Sequence, residues 1–201
     1  MIKKRFREFI GSGTLTIFDI DETLFHTHAK VAVVKDGKVI RTLDNQEFNT
    51  YKRKKGETYD FGEFKNAEIF RKTSTPIGRM VAKAKAIFFN SRKNPHSRVI
   101  ICTARSDFDN KDVFLQTFRD HGLPIDNIHV ERAGNLAIDS SAEAKKIIFK
   151  KYINTKNYVK LRLFDDAPSN LHAFLSLAKE YPNIKFEAYF VKPDGSVKTV
   201  K

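Results

Sequence analysis

The chain has 201 residues and carries 37 Lys+Arg against 24 Asp+Glu, a formal net charge of +13. That length suits one domain over residues 1–201 with a small insertion, and a hydrophobic fraction of 41% with 18 Phe supplies a core, which excludes an intrinsically disordered chain. One cysteine excludes an intramolecular disulfide and a cysteine-clustered zinc site, and no run approaches the ~20 apolar residues of a membrane span.

Residues 1–7 are basic, like a signal-peptide n-region, but the apolar run after them is short and meets Asp19 and Asp21. No signal peptide is expected, and the cytoplasm is the expected compartment. Residues 14–20 read as a buried, β-branched strand ending in acid. Residues 31–34 and 38–42 flank Asp36-Gly37, a strong hairpin signal. The stretch 43–72 is polar, aromatic and basic, with Lys52, Arg53, Lys54 and Lys55 in succession, and it reads as irregular. A regular alternation follows. Thr75 and Pro76 suit a helix start, with Ile77, Met80, Val81, Ala84 and Phe88 on one face. Strands are expected at 98–102, 128–130, 159–164 and 184–191. Helices are expected at 111–121, 141–153 and 168–179, and a turn at Pro193-Asp194-Gly195. This rhythm predicts an α/β fold with a central parallel sheet covered on both faces.

In such sheets chemistry gathers at the carboxyl ends of the strands. Three strands here end in reactive residues: Asp19-Ile20-Asp21-Glu22-Thr23, Thr103-Ala104-Arg105 and Asp165-Asp166. Alternation puts Asp19 and Asp21 on the same side of an extended strand. Crowded carboxylates repel unless a cation or protons intervene, and hard oxygen donors suit Mg²⁺. Carboxylates, Mg²⁺ and phosphate together point to phosphoryl chemistry. Any one Asp pair is more simply an acidic loop or a helix cap; three strand ends in step favour the site. Cys102 reads as a small core residue, and His26 and His28 as loop residues. No phosphate-binding loop of the P-loop type occurs.

Phe18-Asp19-Ile20-Asp21-Glu22-Thr23-Leu24 resembles the first motif of the haloacid dehalogenase (HAD) superfamily, which includes Mg²⁺-dependent phosphatases with an aspartyl-phosphate intermediate. The strand ending at Thr103, followed by Ala104-Arg105, resembles the second motif. A lysine on the helix before the last motif would be the third, and Leu163-Phe164-Asp165-Asp166 resembles the fourth. The resemblance covers nearly the whole chain and implies a Rossmann-like three-layer sandwich. It implies Asp19 as nucleophile, Asp21 as acid and base, and Thr103 and a lysine on the phosphoryl oxygens. It implies Mg²⁺ held by Asp19, the Asp21 backbone carbonyl and Asp165. Asp166 would be an accessory ligand, and Thr23 would brace the loop. Lys145 and Lys146 compete for the lysine role. On a helical wheel Lys145 falls on the inward arc with Ile148, Phe149 and Tyr152, so Lys145 is preferred.

Caps of this superfamily follow the first motif or precede the third. Here residues 27–72, a hairpin flap plus a basic stretch, make a small cap, and residues 135–140 leave no room for another. An open site suits a large substrate. Lys52, Arg53, Lys54 and Lys55, interleaved with Tyr51, Tyr59 and Phe61, suit a phosphate backbone and stacked bases. With Arg105 they are the expected substrate contacts, and a terminal phosphate on a nucleotide or polynucleotide is the expected substrate. Asp165-Asp166 with the following Ala167-Pro168-Ser169-Asn170 resembles, more weakly, the branch that includes nucleic-acid end-processing phosphatases. A phosphoprotein phosphatase and a non-catalytic nucleic-acid-binding module are the alternatives.

Overall fold

A computed structural model describes residues 13–155 and 158–201; the basic residues 1–7 lie outside the described residues. The strands are β1 (Gly13–Phe18), β2 (Phe25–His26), β3 (Val31–Lys35), β4 (Lys38–Leu43), β5 (Glu57–Asp60), β6 (Thr75–Pro76), β7 (Arg98–Thr103), β8 (His129–Arg132), β9 (Tyr158–Asp165), β10 (Lys185–Val191) and β11 (Val197–Val200). The helices are α1 (Asn45–Thr50), α2 (Gly62–Lys65), α3 (Ala67–Thr73), α4 (Gly78–Ser91), α5 (Lys111–Asp120), α6 (Ser141–Thr155) and α7 (Pro168–Ser176).

Among the described residues, six strands form one sheet in the order β11-β10-β9-β1-β7-β8. Neighbours are parallel except β10 and β11 at one edge, which are antiparallel. The sheet is apolar on both faces, as a parallel sheet under helices must be. Leu15 and Ile17 of β1 pack with Ile148, Phe149 and Phe174 of α6 and α7. Phe18 points the other way and packs with Met80, Phe88, Phe114 and Phe118 of α4 and α5. On that second face Phe18, Phe164 and Tyr189 stack across three adjacent strands at 4.8 and 4.7 Å between centroids. The result is a central, mostly parallel sheet between two helical layers, consistent with a Rossmann-like fold.

Residues 27–74 form an insert that leaves this body after β2 and rejoins it at β6, with Ala67 and Phe70 packed into the core of the body. Phe25 pairs with Pro76 and His26 with Thr75, an antiparallel β2–β6 contact that closes the base of the insert. Thr75 and Pro76 therefore do not begin a helix; they are paired as strand, and α4 starts at Gly78 after Ile77. The insert has its own three-stranded antiparallel sheet, β4-β3-β5. Its hairpin turns at Asp36-Gly37, where φ is +50° and +75°, the left-handed pair that a two-residue turn requires. Val31, Val33 and Leu43 pack against Phe48, Tyr51, Tyr59 and Phe64 beneath it. The stretch 43–72 is thus not irregular: it holds three short helices and β5. Asp44 and Glu47 form a reciprocal capping box on α1, and the Asn66 side chain caps α3. Strand β11 was not expected; its four residues alternate too briefly to stand out. No described helix is long and apolar enough to cross a membrane.

Candidate active site

Register brings the three strand ends together. Phe18 lies opposite Ile101 on one side and Phe164 on the other. The Asp19 amide extends the ladder one step by donating to the Phe164 carbonyl at 3.0 Å. Asp19 therefore emerges beside Asp165, at the carboxyl edge where Thr103 also ends its strand. Immediately afterwards the chain turns back on itself. Thr23, Leu24 and Phe25 amides all donate to the Ile20 carbonyl, and Glu22 adopts φ +54°. A non-glycine residue in that region is held there by its surroundings. Here the Glu22 carboxylate contacts His26 Nδ1 at 2.8 Å and accepts from the Thr27 amide at 3.0 Å.

Lys145 joins Asp19 and Asp165. Its Nζ donates to Asp19 Oδ1 at 2.7 Å and to Asp165 Oδ2 at 2.8 Å, and all three side chains are buried. Asp165 is fixed further by the Ala167 amide (2.9 Å) and by Asn170 Nδ2, which donates to both carboxylate oxygens at 2.9 and 3.0 Å. Lys146, one residue on, pairs instead with Glu143 at 2.8 Å on the outer side of α6. The Thr103 hydroxyl accepts the Arg105 amide at 3.2 Å and so retains a proton to donate. Thr23 is fully buried, and its hydroxyl has no hydrogen-bond partner among the described residues.

One oxygen each from Asp19, Asp165 and Asp166 lie within 4.8 Å of one another. Asp166 thus stands in the carboxylate cluster, while the Asp21 carboxylate is drawn aside. Arg105 Nη2 donates to Asp21 Oδ1 at 2.6 Å, its Nε spans both oxygens at 3.0 Å, and Thr27 Oγ1 donates at 2.7 Å. Burial would raise the Asp21 carboxyl, but the charge and hydrogen bonds of Arg105 outweigh it and hold the group below its ordinary value. Asp19 goes the other way: burial raises it well above its ordinary value against the pull of Lys145, and Asp165 adds repulsion. Asp166 is pushed up to about 7 by burial and by Asp165. Four carboxylates share this corner with two cations, Lys145 and Arg105. The crowded carboxylates and their hard oxygen donors fit a divalent cation.

Arg105, expected to meet substrate, is only 3% exposed and its donors are engaged within the protein. Lys52, Arg53, Lys54 and Lys55 are exposed on the loop between α1 and β5 and take no part in the carboxylate cluster. Cys102 is buried on β7, and burial pushes its thiol far up, out of reach of ionisation. Sequence reasoning missed Thr27, and it noted Asn170 only within Ala167-Pro168-Ser169-Asn170, with no role at the site. Asn170 had a signal: it falls five residues after Asp165, in the first turn of the helix that follows. Thr27 had none, because its contact depends on how the Glu22 turn folds back. The chain matches no protein-family model and no curated protein sequence.

Proposed function

We propose that the protein is a Mg²⁺-dependent, HAD-type phosphohydrolase that forms an aspartyl-phosphate on Asp19. The observation that carries this reading is the buried Asp19–Lys145–Asp165 cluster at the carboxyl ends of two adjacent parallel strands. Lys145 fixes one Asp19 oxygen, which leaves the other to attack phosphorus. Thr103 and Lys145 would hold the phosphoryl oxygens as charge shifts onto them. Asp21, ionised beside Arg105 until an anionic phosphate enters next to it and favours its protonated form, would then protonate the leaving oxygen and afterwards take a proton from the attacking water. Asp19, Asp165 and Asp166 would hold Mg²⁺, with the Asp21 carbonyl as a further oxygen donor. The bound ion would offset phosphoryl charge.

The small insert, with its β3–β4 hairpin as a flap, favours a substrate that reaches in from outside: the phosphorylated end of a polynucleotide. Four exposed basic residues in succession support this. So do Arg53, stacked 5.0 Å from the Tyr59 centroid, and the half-open Phe61 ring beside Tyr59. Wild-type protein should hydrolyse phosphomonoesters with Mg²⁺ and lose activity with EDTA. Asp19→Asn should abolish turnover and the hydroxylamine-labile phosphoenzyme. Retained phosphatase activity in Asp19→Asn would overturn the mechanism. Among phosphorylated oligonucleotides, nucleotides, sugars and peptides, the oligonucleotides should turn over fastest; a preference for phosphopeptides would reassign the substrate to protein.

A further inference from the structure

Arg105 lies at the junction of three things: the strand end after β7, the Asp21 carboxylate and the insert. Its Nε and Nη2 hold Asp21, while Nη1 donates to the Phe64 carbonyl of α2 at 3.0 Å. Its guanidinium carbon lies 4.5, 5.0 and 5.5 Å from the ring centroids of Phe64, Phe70 and Phe108. A desolvated guanidinium among three rings, bidentate on a carboxylate, has one arrangement available to it. Two of those rings, and the carbonyl, belong to the insert. The insert is bolted down beside them: the Asp109 amide donates to the Lys65 carbonyl at 2.9 Å, and Asp109 Oδ1 accepts the Ala67 amide at 2.9 Å.

We infer that Arg105 is a positioning residue, not a substrate ligand: it sets the Asp21 carboxylate in place and makes that placement depend on the seating of the insert at Phe64. The inference rests on the phosphohydrolase reading. In that reaction the Asp19 oxygen bonds phosphorus as the P–O bond to the leaving group breaks, and Asp21 gives its proton to an alkyl leaving oxygen. Water then attacks phosphorus, the Asp19 ester bond breaks, and Asp21 takes the water's proton. An aryl leaving group such as p-nitrophenolate departs as the anion and needs no proton. Misplacing Asp21 therefore harms the first step for alkyl phosphates only, and the second step for every substrate.

The test compares first-turnover and steady-state rates of wild type, Arg105→Lys, Arg105→Met and Phe64→Ala, with p-nitrophenyl phosphate and an alkyl phosphate. Lysine keeps the charge but cannot bridge Asp21 and the Phe64 carbonyl at once, so it guards against a misfolded methionine variant. Each variant should form phosphoenzyme from p-nitrophenyl phosphate near the wild-type rate. Its hydrolysis should slow by up to about 10²-fold, so phosphoenzyme accumulates. First turnover of the alkyl phosphate should fall as well. Equal losses in both steps with both substrates would mean a structural role only and would overturn the inference. Normal kinetics in Phe64→Ala would overturn the tie to the insert. If wild type hydrolyses neither ester, the phosphohydrolase reading itself fails, which is a separate result.

Discussion

The Lys145 ammonium sits 2.7 Å from one buried carboxylate and 2.8 Å from another. Burial alone would push its proton off, yet Asp165 and Asp19 outweigh that and hold it firmly charged. An ion triad of this kind contributes little net stability, but removing one member leaves charge stranded in a dry site. Lys145→Met should therefore cost about 3 kcal/mol in chemical denaturation, because Asp19 and Asp165 then face each other unneutralised. Its phosphatase rate should fall about 10²–10³-fold. Lys146→Met, which only frees the outer Glu143, should change neither by much. The two variants, assayed side by side for unfolding and turnover, decide between the neighbouring lysines; loss of activity in Lys146→Met alone would reverse the assignment. The helical wheel was enough to put Lys145 on the inward side and Lys146 on the outward one, because an inward arc needs only the 3.6-residue period. The partnership of Asp21 with Arg105 was not legible, since 84 residues separate them and only the folded loops set the distance.

At the scale of elements, what was legible was local. The Asp36-Gly37 hairpin follows from two adjacent residues, and β1, β7 and β9 from runs of apolar residues. The Asp44/Glu47 capping box was equally local and was hidden only by the polar, basic character of residues 43–72. The β2–β6 pair was not local: its partners lie some fifty residues apart, and Pro76 after Thr75 resembles a helix start until Phe25 is seen beside it. Loop contacts near the site are of this second kind. Gly134, in the 3-10 turn Ala133–Leu136, lies against the backbone that carries Arg105, and its amide donates to the Arg105 carbonyl at 3.2 Å. A Cβ there would stand 2.6 Å from the Ala104 carbonyl oxygen and 2.7 Å from the Ser106 nitrogen. Backbone on that side cannot rotate away as a side chain could. Gly134→Ala should destabilise the protein by about 1–3 kcal/mol and lower turnover by shifting the loop of residues 104–106. A melting temperature and rate equal to wild type would mean that this loop yields freely.

At the scale of the whole molecule, the net charge of +13 is divided unevenly. Four carboxylates are gathered at one strand edge, which leaves the remaining surface more basic than the total. In the insert, the exposed run Lys52, Arg53, Lys54 and Lys55 meets through Arg53 a chain of edge-packed rings, Phe48, Tyr59, Phe61 and Phe64, that runs toward Arg105. If a polynucleotide end follows that line, its affinity must carry the mark of counterion release, which a small phosphate ester cannot show to the same degree. Asp19→Asn protein should bind a 5′- or 3′-phosphorylated single strand with a Kd that weakens steeply with salt. Replacing the four basic residues with serine should flatten the plot of log Kd against log salt by about 0.7 for each phosphate that is no longer neutralised. The same replacement should lower kcat/KM for the oligonucleotide more than for p-nitrophenyl phosphate. Fluorescence anisotropy across a salt series measures the first, and paired turnover assays the second. An unchanged slope, together with an unchanged ratio of the two kcat/KM values, would remove the insert from substrate binding and leave its basic run a matter of solubility.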